Sequence, residues 1–238
     1  MRICVIGNSH AGAIKEGWDR IAPDHPGVAM QFFAAARRGM EGLRRTEGRL
    51  IAGNARLERD MALSSGGMTE IDLAAHDLFL LIGLGLRVHP FDQRLSQQVR
   101  DAMAAELAQC FAFRLARGIR AGTAAPILVL PAPLHAVPPE GGGKATRARD
   151  YDACLSRTED LAAIEGLRVL GQPVETRPNG WATGPEWSVG SRRLGAVVGA
   201  AGKAAHPEGE RIHMNADFGA MWLSTILADL AESVAPLR

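Results

Sequence analysis

The stretch Arg2-Ile3-Cys4-Val5-Ile6-Gly7-Asn8-Ser9-His10 leaves a folding chain few choices. An apolar run enters a tight polar turn, and helical spacing begins at once, from Ala11 to Ile21. A short buried strand, a turn and a helix is how an α/β protein presents one side chain at the carboxyl end of its sheet. Ser9 is that side chain. Its hydroxyl falls near a helix N-terminus, where free backbone N–H groups favour developing negative charge. Two readings stand at this point: Ser9 as the N-cap of the helix, and Ser9 as a reactive group.

The rest of the chain repeats the strand–helix alternation. Residues 28–34 read as a second strand, closed by the glycine-bearing loop Arg37-Arg38-Gly39-Met40. Residues 49–52 and 55–63, with Gly53-Asn54 between them, read as a hairpin excursion. Residues 77–86 are apolar after Asp77, as a parallel strand covered on both faces should be. A long helix is expected over 91–121, a fourth strand over 126–131, a helix over 147–164 and a fifth strand over 167–170. Residues 172–209 are irregular and rich in Pro, Gly and Trp, and long loops of that kind are usually functional or disordered. An amphipathic helix, 216–234, ends the order. It predicts an α/β fold: a doubly wound, mostly parallel five-stranded sheet flanked by helices, with its site at the carboxyl ends of the strands.

Composition narrows the function classes. Hydrophobic residues make up 47% and charged residues 22%, ordinary for a globular protein, and one domain is expected over 1–238. A net charge of +1 gives no drive toward nucleic acid or an anionic membrane. No apolar run is long enough to span a bilayer. Cys4, Cys110 and Cys154 lack CxxC or metal-type spacing and suit a reducing compartment. With a core strand at its start, the chain is expected to be cytoplasmic and without a leader.

The chemistry-bearing residues stand at the first and last strand–helix junctions. Ser9 follows the first strand and His213 precedes the last helix, so a doubly wound sheet puts both on one edge. A serine is activated when a histidine takes its proton and a third group orients the imidazole. Glu210 lies three residues before His213, close enough for its carboxylate to reach the far ring nitrogen. No His/Asp/Glu cluster has metal-ligand spacing, and no glycine loop has a nucleotide-binding form.

These blocks resemble those of the SGNH (GDSL-like) hydrolase superfamily. The family's Gly-Asp-Ser stands here as Gly7-Asn8-Ser9, and its Asp-x-x-His as Glu210-Arg211-Ile212-His213, followed by Asn215 and Gly219. The glycine of its second block corresponds to Gly39. Its third block, Gly-x-Asn-Asp, falls on Gly83-Leu84-Gly85-Leu86, which has neither Asn nor Asp. The resemblance implies a three-layer sandwich, Ser9 as nucleophile and His213 as general base, with Glu210 completing a triad or leaving a Ser–His dyad. It also implies backbone N–H donors at Ser9 and Gly39 for an oxyanion hole. Gly85 occupies the third donor's place, so a side-chain donor comes from Asn8, His10 or His89, or the hole is built of backbone alone.

The implied activity is hydrolysis of a small-molecule carboxylic ester, an acetyl ester on a carbohydrate being the substrate guess, with no cofactor. An O-acyltransferase using the same residues and a non-catalytic ligand-binding relative remain as alternatives. His10, His89 and His135 are read as bordering the substrate. Trp181 and Trp187 either stack on a sugar or pin their loop to the core. His25, His76 and His206 read as surface, and Asp217 as a first-turn carboxylate facing the last helix's dipole.

Overall fold

A computed structural model describes residues 1–88, 96–137, 148–164, 166–178, 180–198 and 205–234. The chain opens with β1 (Arg2–Gly7), α1 (Ala11–Ile21) and β2 (Ala29–Ala34). Next come β3 (Leu43–Thr46), β4 (Arg49–Ala52), α2 (Ala55–Ser65), β5 (Glu70–Asp72) and β6 (Leu78–Ile82). Then follow α3 (Gln97–Ala108), α4 (Phe111–Arg120), β7 (Ile127–Leu130), α5 (Ala148–Ile164) and β8 (Arg168–Val169). A short α6 (Leu194–Val197) and the long α7 (Ala216–Val234) complete the order.

Five strands form one parallel sheet in the order β2-β1-β6-β7-β8. The protein is therefore an α/β fold with helices on both faces, and a separate antiparallel sheet β3-β4-β5 stands beside it. Strand alternation feeds two cores. Ile3 and Val5 join Leu80, Leu128 and the α7 residues Phe218 and Trp222 on one face. Cys4 and Ile6 join Phe79, Leu81 and the α4 residues Phe113 and Ala116 on the other. Burial on both faces is why β6 is apolar without a break. The strand order reverses between β1 and β6, and the carboxyl edge at such a switch point is where an open α/β sheet leaves a crevice. Among the described residues no helix is long and apolar enough to cross a membrane.

Two expectations are corrected. Residues 55–63 are not a strand but belong to α2. Asn54 Oδ1 accepts the Leu57 N–H (3.0 Å) as an N-cap, and Leu57, Met61 and Ser64 put their buried side chains on one helical face. β4 instead pairs with β3 across Glu47-Gly48, with Gly48 at φ +68°. The long helix over 91–121 is broken at Gln109-Cys110, where Cys110 is extended and the Ala112 N–H donates to Leu84 O (2.9 Å). The break re-aims α4, so that Phe113, Ala116 and Ile119 lie on the sheet. Residues 91–95 fall outside the described residues.

α1 and α7 cross on one face of the sheet without side chains between them. A Cβ built on Gly219 would lie 1.8 Å from Ala13 O, and one on Gly17 would lie 2.2 Å from Ala220 N. Only glycine permits this backbone contact. Gly219→Ala is expected to cost at least about 1–3 kcal/mol, the range for forcing atoms into a packed core. Urea unfolding checks it. Gly118→Ala, in α4 where an added Cβ meets nothing within 4 Å, should be neutral or stabilise by up to about 1 kcal/mol.

Candidate active site

The turn after β1 is built to expose Ser9. The Asn8 side chain folds back to accept the His10 N–H (3.0 Å), and a Cβ on Gly83 would sit 2.7 Å from Asn8 Oδ1. Gly83, left-handed at φ +73°, thus makes room for that side chain. α1 begins at Ala11 with no side-chain cap. Ser9 is therefore not its N-cap: its hydroxyl goes elsewhere.

The hydroxyl meets His213 from the other end of the chain. Ser9 Oγ lies 3.0 Å from His213 Nε2, and His213 Nδ1 lies 3.1 Å from Glu210 Oε1. A carboxylate only accepts, so Nδ1 carries the proton and Nε2 is free to accept from the serine. Glu210 also accepts the N–H groups of Ile212 (3.0 Å) and His213 (2.9 Å), which folds residues 210–213 into a compact turn. Burial pushes the Glu210 carboxyl up, but those hydrogen bonds and the nearby His213 hold it below its usual value overall. Asn215 fixes the base of the turn. It accepts the Phe218 N–H at the start of α7 and donates to the carbonyls of Glu186 (2.8 Å) and Val189 (3.0 Å).

His206 completes the cluster, and the sequence reading missed it. Its ring stacks on His213 with centroids 4.1 Å apart and planes 6° from parallel. The Ser191 carbonyl, accepting the His206 backbone N–H at 2.9 Å, holds the residue there. No sequence spacing signals this, because the stack depends on Ser191 and His206, 15 positions apart, meeting at the edge. Among the described residues His206, Glu210 and His213 are also the one group with ligand atoms close enough to hold a metal, all within 4.8 Å of one another. Both His213 nitrogens are engaged with Ser9 and Glu210, so metal binding through His213 would displace one of those contacts.

The loop after β6 carries backbone strain. Gly83, Leu84 and Gly85 are consecutive left-handed residues, at φ +73°, +38° and +83°. The αL conformation costs a leucine about 1–2 kcal/mol, sustained here by burial of the Leu84 side chain and by the bond its carbonyl accepts from Ala112. The N–H groups of Ser9, Leu84 and Gly85 take no partner among the described residues. Gly85 lines the cavity at Ser9. The expectation for Gly39 fares differently: its N–H donates to Ala36 O (3.1 Å), and Arg38 and Met40, not Gly39, line the cavity.

Ser9 and His213 open into a cavity of about 720 Å³ shared with Asn8, Arg37 and Arg114. A second lobe of about 330 Å³ adjoins it, and His10, Arg87, Ala132 and Ile212 line both. His135 and Trp181 wall the second lobe. They are brought together because the Thr183 N–H donates to His135 O (3.0 Å) and Gln172 ties Leu134, Thr176 and Thr183 into one buried network. Trp187 lines neither lobe; it packs edge-on against Phe218 and pins its loop to the core. His89 lies outside the described residues. His76 is not a surface residue but buried, bonded to Asp72 O and Gln31.

The chain matches no family model and no curated protein. Among solved structures it is similar to a Salmonella ser. Paratyphi A lipopolysaccharide acetyltransferase periplasmic domain, at 10% identity and a TM-score of 0.49, over 97% of this chain and 83% of that one. With a periplasmic domain as the matched structure, the cytoplasmic location read from the sequence is not retained.

The buried imidazoles set a pH dependence. Burial first, then the charges of His213 and Arg87, push His10 down from 6.5 to about 3. Burial also lowers His76 and His206. Between about pH 6.5 and pH 3 the unfolded chain binds a proton at position 10 that the native site refuses. Stability is therefore complete above that window and falls through it, by up to about 1.4 kcal/mol per pH unit for one proton. His10→Leu should flatten this slope, as read by denaturant unfolding at several pH values.

Proposed function

We propose that the chain is a serine hydrolase of the SGNH type, cleaving a carboxylic ester through an acyl-enzyme on Ser9. The observation that carries this reading is the contact between Ser9 Oγ and His213 Nε2 at 3.0 Å, with Glu210 on the opposite ring nitrogen. In the proposed route His213 Nε2 takes the hydroxyl proton as Ser9 Oγ attacks the acyl carbon. Glu210 holds the imidazole in the required tautomer and stabilises the imidazolium that forms. The unpartnered N–H groups of Ser9 and Gly85 receive the developing oxyanion. Backbone donors thereby replace the side chain that the third sequence block lacks. Collapse expels the alcohol, which takes its proton from His213. Water then attacks the acyl-enzyme with His213 as base, releasing the acid and restoring the serine.

His206 supports the same step by geometry. A flat ring stacked on His213 restricts its rotation, so that Nε2 stays aimed at Ser9. His206 is itself held toward the neutral form by burial. It can therefore face the imidazolium without opposing it.

One observation favours acyl transfer as a second reading. The smaller lobe meets the larger at His10 and Ile212, and a bound hydroxyl compound there could take the place of water. The alcohol or acceptor would have the size of a sugar or metabolite, since lobes of about 720 and 330 Å³ span the usual range of small-ligand sites.

A fluorophosphonate probe should label the protein at Ser9 and fail to label Ser9→Ala; no labelling of the intact protein would sink the proposal. On short p-nitrophenyl esters, Ser9→Ala and His213→Ala should each lower kcat by about 10⁴ or more, and Glu210→Gln by about 10²–10⁴. Labelling without ester hydrolysis, restored to turnover by an added polyol acceptor, would select the transferase.

A further inference from the structure

The walls of the two lobes carry an unbalanced charge. In the larger one Arg38 is neutralised by a bidentate pair with Glu41, at 2.7 and 2.8 Å. Arg114 lies over the Phe111 ring with its guanidinium on the Gln109 carbonyl. Arg37 and Arg87 make no hydrogen bond or ion pair among the described residues, and Glu106 is the one carboxylate in the lining outside the Arg38 pair. The smaller lobe is more one-sided. Val88, Pro133, Leu134 and Ile212 make its apolar wall, and among the described residues Arg87 is the single permanently charged one lining it.

Arg87 belongs to both lobes, as does His10. A guanidinium presents five N–H donors and no acceptor, and none of Arg87's is used among the described residues. Trp181 and His10, which also line the lobe, hold Nε1 and Nδ1 buried behind its wall, without a hydrogen-bond partner among the described residues. Burial holds His10 neutral beside Arg87, so it adds no second positive charge, and an imidazole cannot act as a counter-ion. A cation without a partner and an apolar wall around one space call for a ligand that joins an anionic oxygen group to an apolar or ring-like body.

We infer that the ester handled at Ser9 carries a carboxylate or phosphate group, held by Arg87 where the two lobes meet. The inference rests on Ser9 as the reacting group, and it specifies the class of substrate that this group acts on. Anchoring an anion at the junction places the neighbouring ester bond in the larger lobe, on the side of Ser9 and His213. It also raises the local concentration of anionic over neutral esters.

Isothermal titration of the Ser9→Ala protein, which cannot turn over, tests this apart from the esterase reading. The ligands are benzoate, phenyl phosphate and, as the neutral control, benzyl alcohol. Saturable binding of benzoate or phenyl phosphate, weakened about tenfold or more by a further Arg87→Gln and partly restored by Arg87→Lys, is the expected result. The tighter of the two identifies the anion. Binding of benzyl alcohol as tight as either anion, no saturable binding of either anion, or affinity unaffected by Arg87→Gln would overturn the inference. Fluorophosphonate labelling of the unaltered protein judges the Ser9 reading separately.

Discussion

The contact between α1 and α7 at Gly17 and Gly219 is what the rest of the site depends on. Ser9 hangs from the start of α1 and His213 from the approach to α7, 204 residues apart in sequence. Their hydrogen bond exists because the two helices touch backbone to backbone, with Gly219 on the Ala13 carbonyl and Gly17 on Ala220. Any larger residue at either position would push the helices apart and carry the imidazole away from the hydroxyl. The apolar layer of Ile14, Trp18, Phe218 and Trp222 then presses both helices onto the sheet, so the same packing that stabilises one face of the fold also sets the geometry of the site.

Around that contact the site is assembled from short polar turns, each satisfied locally. Asn8 takes the His10 N–H, while that of Ser9 has no partner among the described residues. Glu210 takes two backbone N–H groups before it reaches the imidazole, which explains how a longer side chain than aspartate can stand at this distance. The Gly83-Leu84-Gly85 turn holds its strain because Leu84 is buried and its carbonyl anchors α4. Strained backbone with unpartnered N–H groups beside a serine is a feature the surrounding packing maintains rather than one the local sequence prefers.

Much of this was legible in the residues. The β1–turn–α1 unit, the buried run of β6 and the last helix follow from periodicity and punctuation, and the structure reproduces their positions within a residue or a few. Where the reading failed, a weak local signal met a stronger non-local one. Gly53-Asn54 looks like a hairpin turn, yet Asn54 caps α2 because Leu57 and Met61 have a core to enter. The helix expected over 91–121 breaks at Cys110 because the exit from β6 takes the Ala112 N–H.

By itself the sequence determined the alternation of strands and helices, and hence that Ser9 and His213 sit on the same edge of a parallel sheet. Periodicity is a local property and chain order fixes the edge, so neither needed coordinates. Tertiary structure alone decided what stands beside them. His206 stacks on His213, Arg87 joins two lobes, and Gly39 spends its N–H on Ala36. Each of these depends on how loops distant in sequence pack at the sheet edge, and no spacing along the chain encodes that.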